Sequence, residues 1–318
     1  MKQPGRKRAL ITGASGFIGS WLADAARETG LELFGIDLQT PSKPQIWADF
    51  ITGACENVDF DRVFGEQHID LVFHLAGGAS VPASVRDPFS DFSSLLPGTA
   101  RLVAHLIKRG SRPHLIFFSS AAVYGNPEKL PISEDHPLKP ISPYGIHKAT
   151  AEAMLQQYAR AYELPVSIMR IFSAYGPGLR KQILWDVGQR ALQAVANKEK
   201  TIALHGTGSE TRDFIYVSDL ADAALLVASK PPKSGLQILN VSSGSETSIA
   251  EVSEHLIASL GLNIEVNFNG NTRSGDPCNW HADTGRLCNL GFQKKINTSV
   301  GILRVAEWMK GFLRQAVT

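Results

Sequence analysis

Short apolar runs alternate with longer helical patterns through the first half of the chain. Runs at 9–11, 33–36, 71–75, 115–119 and 166–170 are dense in Val, Ile, Leu and Phe, with little polar alternation. Such runs mark strands covered on both faces, as in a parallel sheet. Helical patterns at 99–109 and 144–162 precede the last two, which reads as repeated βαβ units. Residues 126–143 carry five prolines and scattered charge, a surface loop feeding the helix that starts at Tyr144. From about residue 174 the pattern loosens: Gly176-Pro177-Gly178, a helix at 184–197, a turn at 205–209, a strand end plus helix at 214–228, and a returning strand at 236–241. The expectation is an α/β chain with a discontinuous second lobe.

The first strand runs into Thr12-Gly13-Ala14-Ser15-Gly16-Phe17-Ile18-Gly19-Ser20 and then into helix-compatible sequence. A strand, a glycine turn and a helix start make a cradle for a dinucleotide pyrophosphate. Gly13 permits the tight turn, Gly16 lets the backbone approach phosphate, and Gly19 lets the helix pack on the strand. Eighteen residues after Gly19, Asp37 closes the second apolar run. A carboxylate there binds ribose hydroxyls and repels a 2′-phosphate, so NAD is expected rather than NADP. These features define the first lobe as a Rossmann-type doubly wound parallel sheet from 1–173 and 214–243. A smaller, discontinuous α+β substrate-binding lobe takes 174–213 and 244–318.

Composition narrows the class. A net charge of +2 argues against a nucleic-acid binder, which needs a concentrated basic face. The 43% hydrophobic and 19% charged content suits a globular enzyme. Cys55, Cys278 and Cys288 show no C-x-x-C or Cys/His spacing, so no metal site is expected and a reducing cytoplasm is the default. Glycines and Asp24 break the basic N-terminus as a signal peptide, and no apolar run is long enough to span a membrane.

Tyr144 and Lys148 stand four apart in a helical pattern and share one face. An ammonium beside a phenol is expected to lower its pKa from about 10 toward neutrality. A phenolate can take a sugar hydroxyl proton while NAD takes hydride from the same carbon. Ser120, at the end of the fourth run, is placed to bond the same hydroxyl. His147, one position from Lys148, is expected to face solvent, and His74 to be a satisfied core histidine.

Together these motifs resemble a known family. Thr12–Ser20, Asp37, His74-Leu75-Ala76-Gly77, Ser119-Ser120-Ala121-Ala122-Val123-Tyr124-Gly125, Tyr144–Lys148, Arg170–Pro177, Arg212-Asp213-Phe214 and Arg273-Ser274-Gly275-Asp276 occur in its order. The chain is similar, over residues 9 to about 310, to extended short-chain dehydrogenase/reductases of the nucleotide-sugar epimerase/dehydratase type, UDP-glucose 4-epimerase-like. The resemblance implies that Gly13, Gly16, Phe17, Ile18, Asp37, Leu38, Asp49, Phe50, Leu75, Ala76 and Gly77 hold NAD, with Tyr144 and Lys148 at its reactive end. It makes Ser120, Tyr144 and Lys148 catalytic. It puts Ser80, Ser120, Ser173, Gln182, Arg212, Arg273 and Trp280 on a nucleotide-diphosphate sugar, the two arginines on its diphosphate.

Missing groups narrow the reaction. Similar 4,6-dehydratases carry Asp-Glu after the catalytic Ser/Thr, and related decarboxylases keep a Glu; this chain has Ala121-Ala122. The Cys/His pair of bifunctional epimerase-reductases has no counterpart. Epimerisation, with carbon 4 foremost, is the expected reaction. A keto-sugar reductase, an epimerase/dehydratase at another carbon, and a non-catalytic NAD-binding sensor stand as alternatives. Leu95 and Ser173 replace Asn residues usual in the family, and a bulky Trp280 would disfavour a carbon-2 N-acetyl group. The resemblance also implies a homodimer through the helices at 99–109 and 144–162.

Overall fold

A computed structural model describes residues 6–65, 68–78, 80–233, 235–271 and 279–316. The chain opens with β1 (Arg8–Thr12), α1 (Phe17–Glu28), β2 (Glu32–Asp37), β3 (Asp49–Thr52), α2 (Phe60–Phe64) and β4 (Leu71–His74). Next come α3 (Val81–Arg86), α4 (Pro88–Lys108), β5 (His114–Ser120), α5 (Pro143–Tyr162) and β6 (Val166–Ile171). It then leaves through β7 (Ser173–Tyr175), α6 (Gln182–Ala196), β8 (Thr201–Leu204) and β9 (Thr211–Tyr216), and returns by α7 (Val217–Ser229) to β10 (Leu236–Val241). The remainder is β11 (Glu246–Ser248), α8 (Ile249–Leu260), β12 (Glu265–Phe268), α9 (Gly285–Asn289) and α10 (Thr298–Ala316).

Seven strands pair in parallel in the order β10-β6-β5-β4-β1-β2-β3. The order reverses between β1 and β4, and in such a sheet the crevice beyond the strand ends at that point receives the ligand. Alternate residues serve opposite faces. Ala9 and Ile11 of β1, with Phe73, Ile116 and Met169, pack against Leu22 and Ala26 of α1 and Leu220, Ala224 and Val227 of α7. Leu10, Val72, Leu115, Phe117 and Ile168 meet Leu102 and Leu106 of α4 and Leu155 and Ala159 of α5. Two covered faces explain the unbroken apolar runs, each large side chain contributing about 1.5–3 kcal/mol of burial.

The second lobe has its own core. Leu184 and Val187 of α6, Leu256 of α8 and Ile302 and Met309 of α10 close around Tyr175, Phe214 and Tyr216. Two small sheets, β11-β9-β7 and β12-β8, complete it. Leu287 of α9 and Phe292 turn back to the first core.

Two elements depart from expectation. The helix expected at 99–109 begins at Pro88 and runs 21 residues, with Pro97 inside it. Pro97-Gly98 reads as a helix start because proline suits a first turn, but here tertiary packing carries the helix through. Strand β3 is short and sits at the sheet edge, too brief to register as a run. Among the described residues no helix is long and apolar enough to cross a membrane.

Candidate active site

One cavity of about 960 Å³ runs along the carboxyl ends of β1, β2, β4 and β5 and into the second lobe. At the α1 end its wall is main chain. Gly13 has φ 73°, donates its N–H to Ile36 O at 2.8 Å, and a Cβ there would stand 2.9 Å from the Ala76 nitrogen. A Cβ on Gly19 would lie 2.1 Å from Gly13 O, so only glycine lets α1 start this close to β1. Gly16 caps α1 without a side chain, and no acid lies in the first turn. That leaves a helix N-terminus bare for an anion. Asp37 is oriented by N–H donation from Ser15 at 3.0 Å and Gln39 at 2.9 Å. These groups fit a dinucleotide: phosphates on the glycine turn, ribose hydroxyls on Asp37.

Phe17, Ile18, Leu38, Leu75, Ala76 and Gly77 line the same stretch. Asp49 and Phe50 do not line it. Asp49 accepts the Phe50 N–H, and the Phe50 ring covers Gly35 beside Trp47. Gly53, Ala54, Cys55 and Glu56 form the wall there instead; no spacing in the sequence marks them.

His74 ties the cradle to α4. Its Nδ1 lies 2.7 Å from Thr12 Oγ1 and its Nε2 2.8 Å from Thr99 Oγ1, which itself donates to Leu95 O at 2.7 Å. The Thr99 proton is therefore committed, so Nε2–H donates and Nδ1 accepts from Thr12. Thr12 Oγ1 in turn accepts the Ala76 N–H at 3.2 Å. Burial holds the imidazole neutral, its pKa down at about 3, with Lys148 pushing the same way.

Ser120, Tyr144 and Lys148 converge at the other end of the same wall. Ser120 closes β5, where its Oγ accepts the Ala122 N–H at 3.2 Å, and it hydrogen-bonds Tyr144. Ser142 caps α5 by accepting the Gly145 N–H, and Ser84 of α3 accepts the Tyr144 N–H at 3.1 Å. Lys148 Nζ donates to Phe118 O at 2.8 Å and stands 5.9 Å from the Tyr144 ring centre. The expected lowering of the Tyr144 pKa is not what the protein shows. Burial pushes the phenol up to about 12 against the Ser120 hydrogen bond, and the Asp91 charge pushes it the same way. Burial also brings Lys148 down to about 8, opposed by Asp91 and Glu152. For both groups desolvation is the largest cause.

His147 also differs from expectation. Its side chain is only 14% exposed, and Nδ1 lies 2.6 Å from Oδ2 of the buried Asp91. Phe92 meets the ring edge-on. The pairing joins residues 56 apart on different helices, so no local signal announces it.

A second polar network lies beneath the site. Arg170 Nη2 donates to Glu152 Oε2 at 2.7 Å and its Nε to both carboxylate oxygens at 3.1 Å; Ser119 adds a bond at 2.5 Å. Arg170 also donates to Tyr124 OH and Glu134 O, and Tyr124 donates to Asn240 Oδ1 at 2.6 Å. Asn240 gives its amide hydrogens to Ile132 O and Asp283 O and its backbone N–H to Glu134 Oε1.

Ser80 and Ser173 from the first lobe and Gln182, Arg212 and Trp280 from the second all line the cavity. Arg212 lies over the Trp280 ring at 5.5 Å, and Trp280 Nε1 donates to Gly125 O at 3.3 Å. Gln182 starts α6 with φ 68°, a left-handed value that costs a non-glycine residue on the order of 1–3 kcal/mol and clusters at ligand sites. Lys181, Asp186, His205 and Glu210 join this wall and were not anticipated. Arg273 lies outside the described residues. Among those described, no group of three or more His, Cys, Asp or Glu is placed to hold a metal.

A dinucleotide cradle joined to a Ser/Tyr/Lys set within one α/β cavity defines a nicotinamide-dependent enzyme that works on a hydroxyl-bearing substrate. The chain belongs to the NAD dependent epimerase/dehydratase family, whose model matches residues 9–242. It is an NAD-dependent enzyme of that nucleotide-sugar epimerase family. A UDP-glucose 4-epimerase of Mycolicibacterium smegmatis is 32% identical over 313 residues, covering 95% of this chain and 98% of that protein. The structure of UDP-glucose 4-epimerase with UDP-glucose from Thermotoga maritima superposes with a TM-score of 0.86 at 29% identity, over 96% of this chain and 99% of that one. MoeE5 in complex with UDP-glucuronic acid and NAD gives 0.85 at 29% identity, over 97% and 100%.

Proposed function

We propose that this enzyme inverts carbon 4 of a nucleotide-diphosphate sugar through a transient keto sugar. The observation that carries the reading is a site with Tyr144 beside Ser120 and with Ala121 and Ala122, not acids, following Ser120. Epimerisation needs one group that takes and returns a hydroxyl proton; elimination of water needs another acid and base. Bound NAD supplies the hydride acceptor and donor and, when oxidised, a positive charge beside the phenol.

The chain does the rest. Tyr144 Oη takes the hydroxyl proton and gives it back, while Ser120 Oγ orients the reacting oxygen. Lys148, fixed on Phe118 O, provides the ammonium that favours phenolate and reaches the cofactor ribose. Arg212, with Ser173 and Gln182, takes the diphosphate, and Arg273 is proposed as its second cation. Trp280, braced by Phe172 and Gly125 O, walls the sugar. The 4-epimerase names of relatives and neighbours support carbon 4. The division into lobes at 173/174, 213/214 and 243/244 is proposed with it; the separate second core supports two lobes, but Phe214 and Tyr216 of β9 sit in that core, beyond the 213/214 boundary.

A homodimer is proposed through α4 and α5. Support comes from Phe89, 77% exposed, and from exposed Val85, Phe92 and Ile146 on adjoining helices. Phe89→Glu is expected to yield monomers by analytical ultracentrifugation; an unchanged mass for a native dimer would move the interface elsewhere.

The activity test is incubation with a panel of nucleotide sugars and no added cofactor. An isomer of unchanged mass, inverted at carbon 4 by NMR, is expected. A product lighter by water would overturn the reading of Ala121 and Ala122, and dependence on added reduced cofactor would make the enzyme a reductase.

A further inference from the structure

Trp280 does more than wall the cavity. Arg212 of β9 lies over its indole, with the guanidinium carbon 5.5 Å from the ring centre. One carbonyl holds both residues: Thr211 O accepts Arg212 Nη1 at 2.8 Å and the Trp280 backbone N–H at 3.2 Å. Asn279 completes the anchorage, its Oδ1 accepting the Thr211 N–H at 3.2 Å. Guanidinium and ring therefore share one mount, and both line the cavity.

The indole is also tied to the first lobe. Its Nε1 donates to Gly125 O at 3.3 Å, on the turn that follows the Ser120 strand, and Phe172 meets the ring edge-on at 6.1 Å. A ring held at these points sets the plane in which a guanidinium lies flat. An arginine is charged at any pH a protein meets, so its orientation, and not its ionisation, decides how well it grips an anion. On a bare surface its long side chain must be ordered whenever an anion binds; laid on a fixed aromatic face, much of that ordering is done beforehand. Stacking uses the guanidinium face, whereas phosphate oxygens bond its N–H edge, so the two contacts are compatible.

We propose that Trp280 is a positioning residue for Arg212, holding its fork pre-set for the substrate diphosphate. This rests on the reading that Arg212 takes the diphosphate. Because the same ring is fastened to the Gly125 turn, it also fixes where that grip stands relative to the reactive wall.

Equilibrium binding to the NAD-bound enzyme tests this, with UDP, dTDP, GDP and CDP as probes and the tightest of them carried forward. In Trp280→Leu its Kd is expected to rise about threefold to tenfold. Arg212→Met keeps the length of the side chain but not its fork, and in that background the same substitution is expected to change Kd by less than about twofold. Trp280→Tyr, which keeps a ring face, is expected to restore most of the affinity. The matching nucleoside, read by ligand NMR, is expected to bind all these variants alike. Unchanged affinity in Trp280→Leu would leave the ring a wall for the sugar alone and overturn the proposal. So would an equal loss in the Arg212→Met background or for the bare nucleoside, since either marks a collapsed pocket and not a misplaced arginine. Should Trp280→Leu not fold, Trp280→Met fills more of the space without a ring and goes through the same cycle, with the same outcomes deciding. A native enzyme that binds none of the four diphosphates overturns the reading of Arg212 and the proposal with it. Binding needs no turnover, so coupling between Trp280 and Arg212 without any isomerised sugar would refute the epimerase reading alone.

Discussion

The two ends of the cavity are built on opposite rules. At the α1 end the ligand surface is backbone, and its requirement is that side chains be absent: Gly13, Gly16 and Gly19 leave room for a turn that any Cβ would fill. At the α5 end the surface is side chains, and the requirement is balance among buried charges brought from α4, α5 and β6. Crowding one methyl into the first end costs about 1–3 kcal/mol and acts through shape. Removing one partner from the second leaves an uncompensated buried charge, worth about 3–5 kcal/mol, and acts through protonation. A binding surface can thus be stiff and indifferent to pH while the reactive end of the same cavity is neither.

That contrast can be broken in order of effect. Tyr144→Phe removes only an oxygen at the charged end and is expected to lower kcat by roughly 10³-fold or more with NAD affinity unchanged. A parallel loss of NAD binding, measured by calorimetry, would show that the two ends are not separable. Acid should next expose the polar support between them. Folded His74 stays neutral to about pH 3, whereas an unfolded histidine takes a proton near 6.5. The unfolded state therefore binds more protons across that window, and stability present above pH 6.5 is lost as pH falls toward 3. The full loss is on the order of 5 kcal/mol, at ~1.4 kcal/mol per pH unit. Denaturant midpoints from pH 7 to 4.5 should fall in the native protein and fall less in His74→Gln. An equal fall in both would assign the acid sensitivity elsewhere. The smallest effect is Gly19→Ala, expected to weaken NAD roughly tenfold to a hundredfold at the backbone end. In that variant the pH midpoint of Lys148, read by NMR with lysines labelled at Cε with carbon-13, should not move; if it does, the ends are mechanically coupled.

The same contrast governs what the amino-acid order alone discloses. The glycine cradle, Asp37 and the Tyr144/Lys148 spacing are short-range, and five strands show as apolar runs because both sheet faces are covered. What escaped depends on distant partners. Asp91 meets His147 only after α4 and α5 pack. Gly53–Glu56 line the wall only because β3 joins an edge. The perturbed Tyr144 is a matter of burial, which spacing does not encode. Pro97 illustrates the converse: a correct local rule for helix starts yields to the packing of Leu95 and Leu102 on the sheet.

The Asn240 bonds have a consequence for the order of assembly. The proline-rich 126–142 segment is fastened through Ile132 O and Glu134, with Tyr124 just before it, to Asn240 of β10, the last strand of the seven-stranded sheet along the chain. During synthesis, a chain emerged only to β6 lacks both α7, which covers the β1 face, and the peg for that segment. The reactive floor is therefore complete only once residue 240 has docked, and a chain stopped before it lacks the bonds that hold that segment in place.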